Sequence, residues 1–305
     1  MTKEMSKNMN KGFPNDYSKD FTLNDSRTDR SSSGPIPSWE AFSEQQTLED
    51  LPDFFGEDAE QLADGDLPEA LPLLPIRNTV LFPGVVIPIT VARDKSIQLV
   101  KAAYEDEKRL VGVVAQREQE TEDPAPTTDD LYGTGTLASI LRQIRMPDGS
   151  ITIIIQGRRR FAIEEILEAD PFFRARVELL ADDIPDDDDP NARMMRMSLK
   201  NEASRIIELS PNIPSEANST LQNIESLGFL VHFIASNLNL AVEDKQDILE
   251  TVGMLNRSEK VLEHLQHEMN VLEINEEIQS KVKVDLDKQQ RDFILRQQMR
   301  SIQEE

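Results

Sequence analysis

The chain of 305 residues has no cysteine. That removes disulfides, thiolate metal ligands and a cysteine nucleophile together, and it suits a reducing cytosol. Long apolar runs are missing too: none approaches the ~18 residues of a membrane span. Positive charge is scarce. Lys and Arg number 33 against 57 Asp and Glu, a formal net charge of −24. So acidic a surface repels phosphate, which makes DNA or RNA an unfavourable partner. No Gly-Lys dipeptide occurs, so there is no Walker-type phosphate loop. Gly133-Thr134-Gly135 lacks the third glycine of a dinucleotide fingerprint and reads as a bulge or close backbone approach within a strand. No G-x-S-x-G elbow accompanies the three histidines, His232, His264 and His267. The N-terminus has neither an apolar signal core nor the acid-poor, Arg-rich make-up of a transit peptide. The inventory describes a binding module.

What is present is unevenly distributed. Residues 1–70 hold 16 acidic and 6 basic side chains, and between Glu40 and Glu69 there are 11 acidic residues and no basic one. Such a composition opposes a hydrophobic core and predicts a disordered acidic extension. The scattered Trp39, Phe42, Phe54 and Phe55 leave open that it docks on a partner instead.

From Leu71 onward, short β-rich runs alternate with turns: LPLLPIR, VVIPITV, LVGVVA, TGTLASILRQIR, SITIIIQ, RRFAIEEI and FFRARVELL. Met146-Pro147-Asp148-Gly149 between two β-branched runs predicts a hairpin. Pro83 and Pro88 keep their segment at an edge or on a bent strand. One helix is expected between strands, with Asp94 as its N-cap and Ile97, Val100 and Tyr104 on one face. Arg158-Arg159-Arg160 reads as a charged turn. The predicted β lobe, residues 71–182, is a small, partly closed sheet or barrel.

The run Asp182 to Asp189 contains six Asp around one Pro and reads as a solvated acidic linker (183–190). It lacks the Gly and the spacing of a calcium loop. An all-helical lobe over 191–305 follows, with helices expected at 191–210, 215–228, 229–239, 244–255 and 258–305, and with Ser215 and Ser258 as N-caps. In the last of these, Val261, Leu262, Leu265, Met269 and Leu272 form a stripe suited to the lobe's own core. Ile278, Val282, Leu286 and Phe293 form a thinner one, rotated by roughly a quarter-turn, which predicts pairing with a second chain in the manner of a coiled coil. The segment RDFILRQQMRSIQEE ends in mid-helix with no C-cap, so the chain is expected to be the front of a longer protein. His264 and His267, one turn apart beside Glu263 and Glu268, are the only weak metal candidate, and no metal is expected.

Two places offer adaptable apolar contact. In the first helix of the second lobe, Met195, Leu199, Ala203, Ile206 and Leu209 share the core face. Met197 points nearly opposite and Met194 lies well off the stripe; exposed methionine suits promiscuous apolar partners. The other place is Leu81-Phe82 in VLFPG. Met194, Met197, Leu81 and Phe82 are therefore the candidate substrate-binding residues, and there are no catalytic candidates.

LPLLPIRNTVLFPGVVIPITVARDKSIQLV, GTGTLASILRQIRMPDGSITIIIQGRRRFAI and RDFILRQQMRSIQEE, in that order, resemble the opening of the Lon family of ATP-dependent proteases, over about Leu71 to Glu305. The resemblance implies an α+β fold: a small PUA-like β lobe, then an all-α bundle with a long C-terminal helix leading towards an ATPase module. It implies recognition of unfolded or tagged protein substrates in the cytoplasm, within a parent homohexamer that carries ATP and Mg sites and a Ser–Lys dyad outside this chain. No family catalytic residue has a counterpart here. A free-standing, non-enzymatic domain of this type that binds a partner or small ligand is the alternative. A phosphate loop encoded after Glu305 would separate the two.

Overall fold

Seven β-rich runs become six strands: β1 (Leu71–Ile76), β2 (Val86–Val91), β3 (Leu110–Ala115), β4 (Thr134–Arg145), β5 (Ile151–Glu168) and β6 (Arg174–Leu179). The computed structural model describes residues 67–304 except 119, 120, 122, 123, 126, 128, 187, 211, 212, 214 and 215. The acidic extension up to residue 66 and the Ser215 cap lie outside the described residues.

The run count differs because SITIIIQ and RRFAIEEI are one strand. β5 has 18 residues and serves two partners in turn: Ile151 to Gln156 pair with β2, and Phe161 to Glu168 pair with β6, while β4 lies antiparallel along nearly its whole length. The sheet order is β2-β5-β4-β3-β1-β6, and the β5–β6 pairing closes five strands into a ring with β2 at the outer end. Arg158-Arg159-Arg160 is therefore no turn. A register shift between Leu137 and Ala138 passes over Arg158, a bulge that bends the strand without ending it.

Turn chemistry at the β4–β5 hairpin follows the sequence. The Met146 amide donates to the Ser150 carbonyl at 2.9 Å, Gly149 takes φ +89°, and the Asp148 carboxylate accepts from the Ser150 amide and hydroxyl at 3.0 and 2.7 Å. Pro88 is exposed on the outermost strand, where its missing N–H costs no ladder bond.

Phe161 fills the ring from within, against Leu71, Leu73, Leu110, Val114, Leu137 and Ala175. Two glycines make room for it. A Cβ at Gly135 would lie 2.5 Å from the Val113 carbonyl oxygen, and one at Gly112 would lie 2.6 Å from the Leu73 side chain. The close-approach reading of Gly135 holds. The parallel pair β1 and β3 is buried on both faces, as uninterrupted apolar strands predict. Leu74, Ile76, Val111 and Val113 turn outward to a second core.

That second core is covered by α1 (Asp94–Glu105) and by the helical lobe. Asp94 is the first helical residue and Arg93 stands in the cap position without a side-chain cap bond, so the predicted cap is one residue off. Its buried face is Ser96, Leu99, Val100 and Ala103, with Ile97 and Tyr104 at the margins.

The helices of the second lobe are α2 (Pro190–Leu209), α3 (Glu216–Asn223), α4 (Leu227–Asn237), α5 (Val242–Glu250) and α6 (Met254–Glu304). α2 starts where Asp189 accepts from the Asn191 amide at 2.7 Å, with Pro190 at the first position. α3 ends sooner than expected because Ser226 caps α4, accepting from Phe229 N at 3.3 Å. Ser258 caps nothing. It is buried inside α6, its hydroxyl donating to the Met254 carbonyl at 2.7 Å, and the helix begins four residues earlier, after Gly253 at φ +79°. Fifty-one residues make α6 about 76 Å long. Its proximal stripe is core: Val261, Leu265 and Met269 are buried, with Leu262 and Leu272 at the edge.

Candidate functional site

The expected core face of α2 is the observed one. Leu199, Ala203 and Ile206 are buried, and Met195 and Leu209 are packed at its margin. A helix that buries one stripe turns the opposite residues to solvent. Met194 and Met197 stand there at 64% and 61% exposure. Three residues apart, they are neighbours on the helix surface. The cations around them are engaged: Arg193 pairs with Asp188 at 3.2 Å, Arg196 donates to the Glu225 carbonyl, and Lys200 donates to the Gln222 carbonyl at 2.7 Å. The last two bonds brace α2 against the end of α3 and the α3–α4 connection, and two adjacent thioethers are left on the surface.

Leu81 and Phe82 are placed otherwise. They are 2% and 0% exposed. The Thr136 hydroxyl donates to the Leu81 carbonyl at 2.6 Å, and Phe82 stacks on the His232 ring with centroids 5.9 Å apart. A substrate has no access to either. The VLFPG segment is the seam between sheet and bundle, with Gly84 beneath the Phe229 ring and Gly157 beneath the Phe82 carbonyl.

That seam contains a buried ionic cluster. Asp182 Oδ1 accepts from Arg160 Nε at 2.9 Å, from Arg160 Nη2, and from Arg257 Nη2 at 3.0 Å. Arg160 and Arg257 are 2% and 0% exposed. Arg160 Nη1 donates to the Leu249 carbonyl at 2.8 Å, and Arg257 Nη1 donates to His232 Nε2 at 2.8 Å. One carboxylate thus joins β5, the linker and α6, while its two arginines reach α4 and α5. Burial raises the Asp182 pKa, but Arg257 and then Arg160 outweigh it and hold the carboxyl below its ordinary value. Burial, then the Arg257 charge, push His232 down to about 3, so its ring is neutral.

The sequence does not mark these four as a buried cluster: Arg160 reads there as part of a charged turn and Asp182 as part of a solvated run. A signal existed for one of them. Met254, Arg257, Val261 and Leu265 lie on a single helical stripe, so Arg257 is a charge in phase with the core and demands a buried partner. His264 and His267 join no metal site: among the described residues no group of three His, Cys, Asp or Glu could hold a metal ion. Nor is any described helix long and apolar enough to cross a membrane.

Residues 70–267 match the family model described as the ATP-dependent protease La (LON) substrate-binding domain. The Lon protease of Flavobacterium johnsoniae is 47% identical over 249 residues, which cover 82% of this chain and 30% of that protein. The Lon protease of Cytophaga hutchinsonii is 46% identical over 240 residues, covering 79% and 29%. The chain therefore spans about 30% of the length of these relatives. Among solved structures, the N-terminal domain of Mycobacterium avium complex Lon protease has a similar fold, with a TM-score of 0.52 at 19% identity, over 65% of this chain and 98% of that one. The chain belongs to the Lon substrate-binding domain family, and it corresponds to that family's substrate-binding region, not to an ATPase or peptidase core.

Proposed function

We propose that this chain is the substrate-recognition and oligomer-assembly region of a Lon-like ATP-dependent protease that degrades misfolded and regulatory proteins in the cytoplasm. ATP, Mg and the Ser–Lys chemistry belong to other modules of a homohexamer. Met194 and Met197 form the substrate contact. The observation that carries this is their adjacent exposure on a helix whose other face is core, in a chain of a substrate-binding family. Unfolded chains have exposed apolar side chains in common. A flexible, polarisable thioether adapts to many of these, where a pocket of fixed hydrogen bonds would select one. The assembly role falls to the distal part of α6, where Ile278, Val282, Leu286 and Phe293 are 53%, 53%, 57% and 64% exposed. The division into an extension (1–70), a β lobe (71–182), an acidic linker (183–190) and a helical lobe (191–305) is part of the same proposal.

Replacing Met197 with Asp tests the contact. Binding of a denatured protein to Met197→Asp should fall severalfold while stability stays within about 0.5 kcal/mol, as at other exposed positions. Unchanged binding by both Met197→Asp and Met194→Asp would remove the methionines from the substrate path.

A further inference from the structure

Where β2, β5 and β4 run side by side, the sheet has an outer face. Residues opposite one another on antiparallel strands point to the same side, so the register sets Pro88, Ile154 and Arg142 in one row and Thr90, Thr152 and Ile144 in the next. The alternate residues of β5, Ile151, Ile153 and Ile155, are buried on the other side. Pro88, Thr90 and Arg142 are exposed, Thr152 and Ile154 are half-buried, and Ile144 is 42% exposed. Met146, at 43%, extends the apolar surface onto the hairpin turn.

The charge of this region is opposite to that of the chain. Between Thr134 and Arg160 there are five Arg and one Asp, in a protein of net charge −24. The acid is Asp148, whose carboxylate is taken up by Ser150 in the turn. Arg160 is buried with Asp182, and Arg158 donates to Ser139 Oγ at 3.1 Å. Arg142 and Arg145 are exposed, and neither meets a carboxylate among the described residues. An apolar sheet surface rimmed by cations fits a segment of the reverse make-up, aromatic groups set among carboxylates.

The chain carries such a segment. Residues 39–62 hold Trp39, Phe42, Phe54, Phe55 and Leu62 among acids, with no Lys or Arg. Leu67, where the described residues begin, packs against the Phe161 cluster. From Phe161 back to Thr152 along β5 is no more than about 30 Å. The residues between Phe55 and Leu67 span up to about 40 Å when extended, so the tether reaches. A short tether gives an effective concentration on the order of millimolar, at which a weak contact is well populated.

We propose that residues 39–62 dock on this face of their own chain, with the aromatic side chains over Pro88, Ile144 and Ile154 and the carboxylates at Arg142 and Arg145. The contact does not depend on the function proposed above.

Trp39 is the only tryptophan in the chain, so its fluorescence reports on the segment alone. In the full chain its emission should be blue-shifted, and less quenched by acrylamide, relative to a free peptide of residues 37–62. Raising salt should move both readings towards those of the peptide. Arg142→Glu and Ile144→Glu, at exposed positions that leave the β-sheet circular dichroism intact, should each do the same. Lys283→Glu on α6 and Met197→Asp on α2 should change neither reading, so a failure of the methionine contact and a failure of this one are told apart. Peptide-like emission from the unaltered chain would overturn the proposal. So would a blue shift that survives both face variants, which would place the segment elsewhere, or one that is lost on dilution, which would give the face to the extension of a second copy.

Discussion

Arg257 Nη1 and His232 Nε2 lie 2.8 Å apart in the seam between sheet and bundle, and the geometry permits one tautomer. A guanidinium only donates, so Nε2 must accept and the ring proton sits on Nδ1. Adding a second proton would set two donors face to face in a buried site. With a folded pKa of about 3 against an ordinary 6.5, folded His232 binds fewer protons than the unfolded chain between those values. Its stabilising contribution is complete above pH 6.5 and is lost as pH falls towards 3, by up to about 1.4 kcal/mol per pH unit. His232→Gln keeps an acceptor for Arg257 and does not titrate. Denaturant unfolding at pH 4 to 6 should show a flatter loss of stability in the variant. Parallel curves would mean that His232 does not set the acid limit.

Asp182 is the counter-charge of two buried arginines, so removing its charge strands both. Asp182→Asn should cost about 3–5 kcal/mol, the range for breaking a buried pair from one side. Asp188→Asn, in the same acidic run but on the surface, should cost less than about 0.5 kcal/mol. Equal effects in chemical denaturation would show that the run acts as a block of charge and not through one residue.

Lys245 is 6% exposed and its ammonium donates to the Ser236 carbonyl at 2.9 Å near the end of α4. Burial pushes its pKa down to about 8. The folded state therefore holds fewer protons than the unfolded one between about pH 8 and 10.5, and the wild type gains stability across that window as pH rises. Lys245→Met should be more stable by about 1–3 kcal/mol at pH 7, the loss of one carbonyl bond included, and the advantage should shrink by pH 10. A pH-independent difference would assign the effect to packing.

Truncation of α6 before Asn275 removes the exposed distal residues and leaves Val261, Leu265 and Met269 in place. The shortened chain should keep its β-sheet circular dichroism and unfolding midpoint, and should associate less in light scattering across a concentration series. Unchanged mass would exclude the distal helix as an assembly element.

Features that depend on neighbours in sequence were legible: the Asp148-Gly149 turn, the exposed Pro88, the core stripes of α2 and α6, and the exposure of Met194 and Met197. The seam was not. Arg160 meets a carboxylate 22 residues away and a carbonyl 89 residues away, and no local pattern encodes either. Gly157 followed by three arginines imitates a turn, since the reason for the glycine, the Phe82 carbonyl 2.2 Å from any added Cβ, is itself a distant contact. Leu81-Phe82 misled for the same reason. An apolar pair beside proline looks like a surface loop until the bundle that covers it is known.

Arg257 is the fourth residue of α6, so the cluster that joins sheet to bundle also clamps the root of a rod about 76 Å long. A clamp at the root turns a small rotation into a large sweep. Tilting the rod by about 5° moves its far end by about 7 Å, more than a full helical turn. The orientation of the β lobe and the direction in which α6 points are thus one mechanical variable. A displacement at Arg257 would be several times larger at the far end of a straight helix of this length.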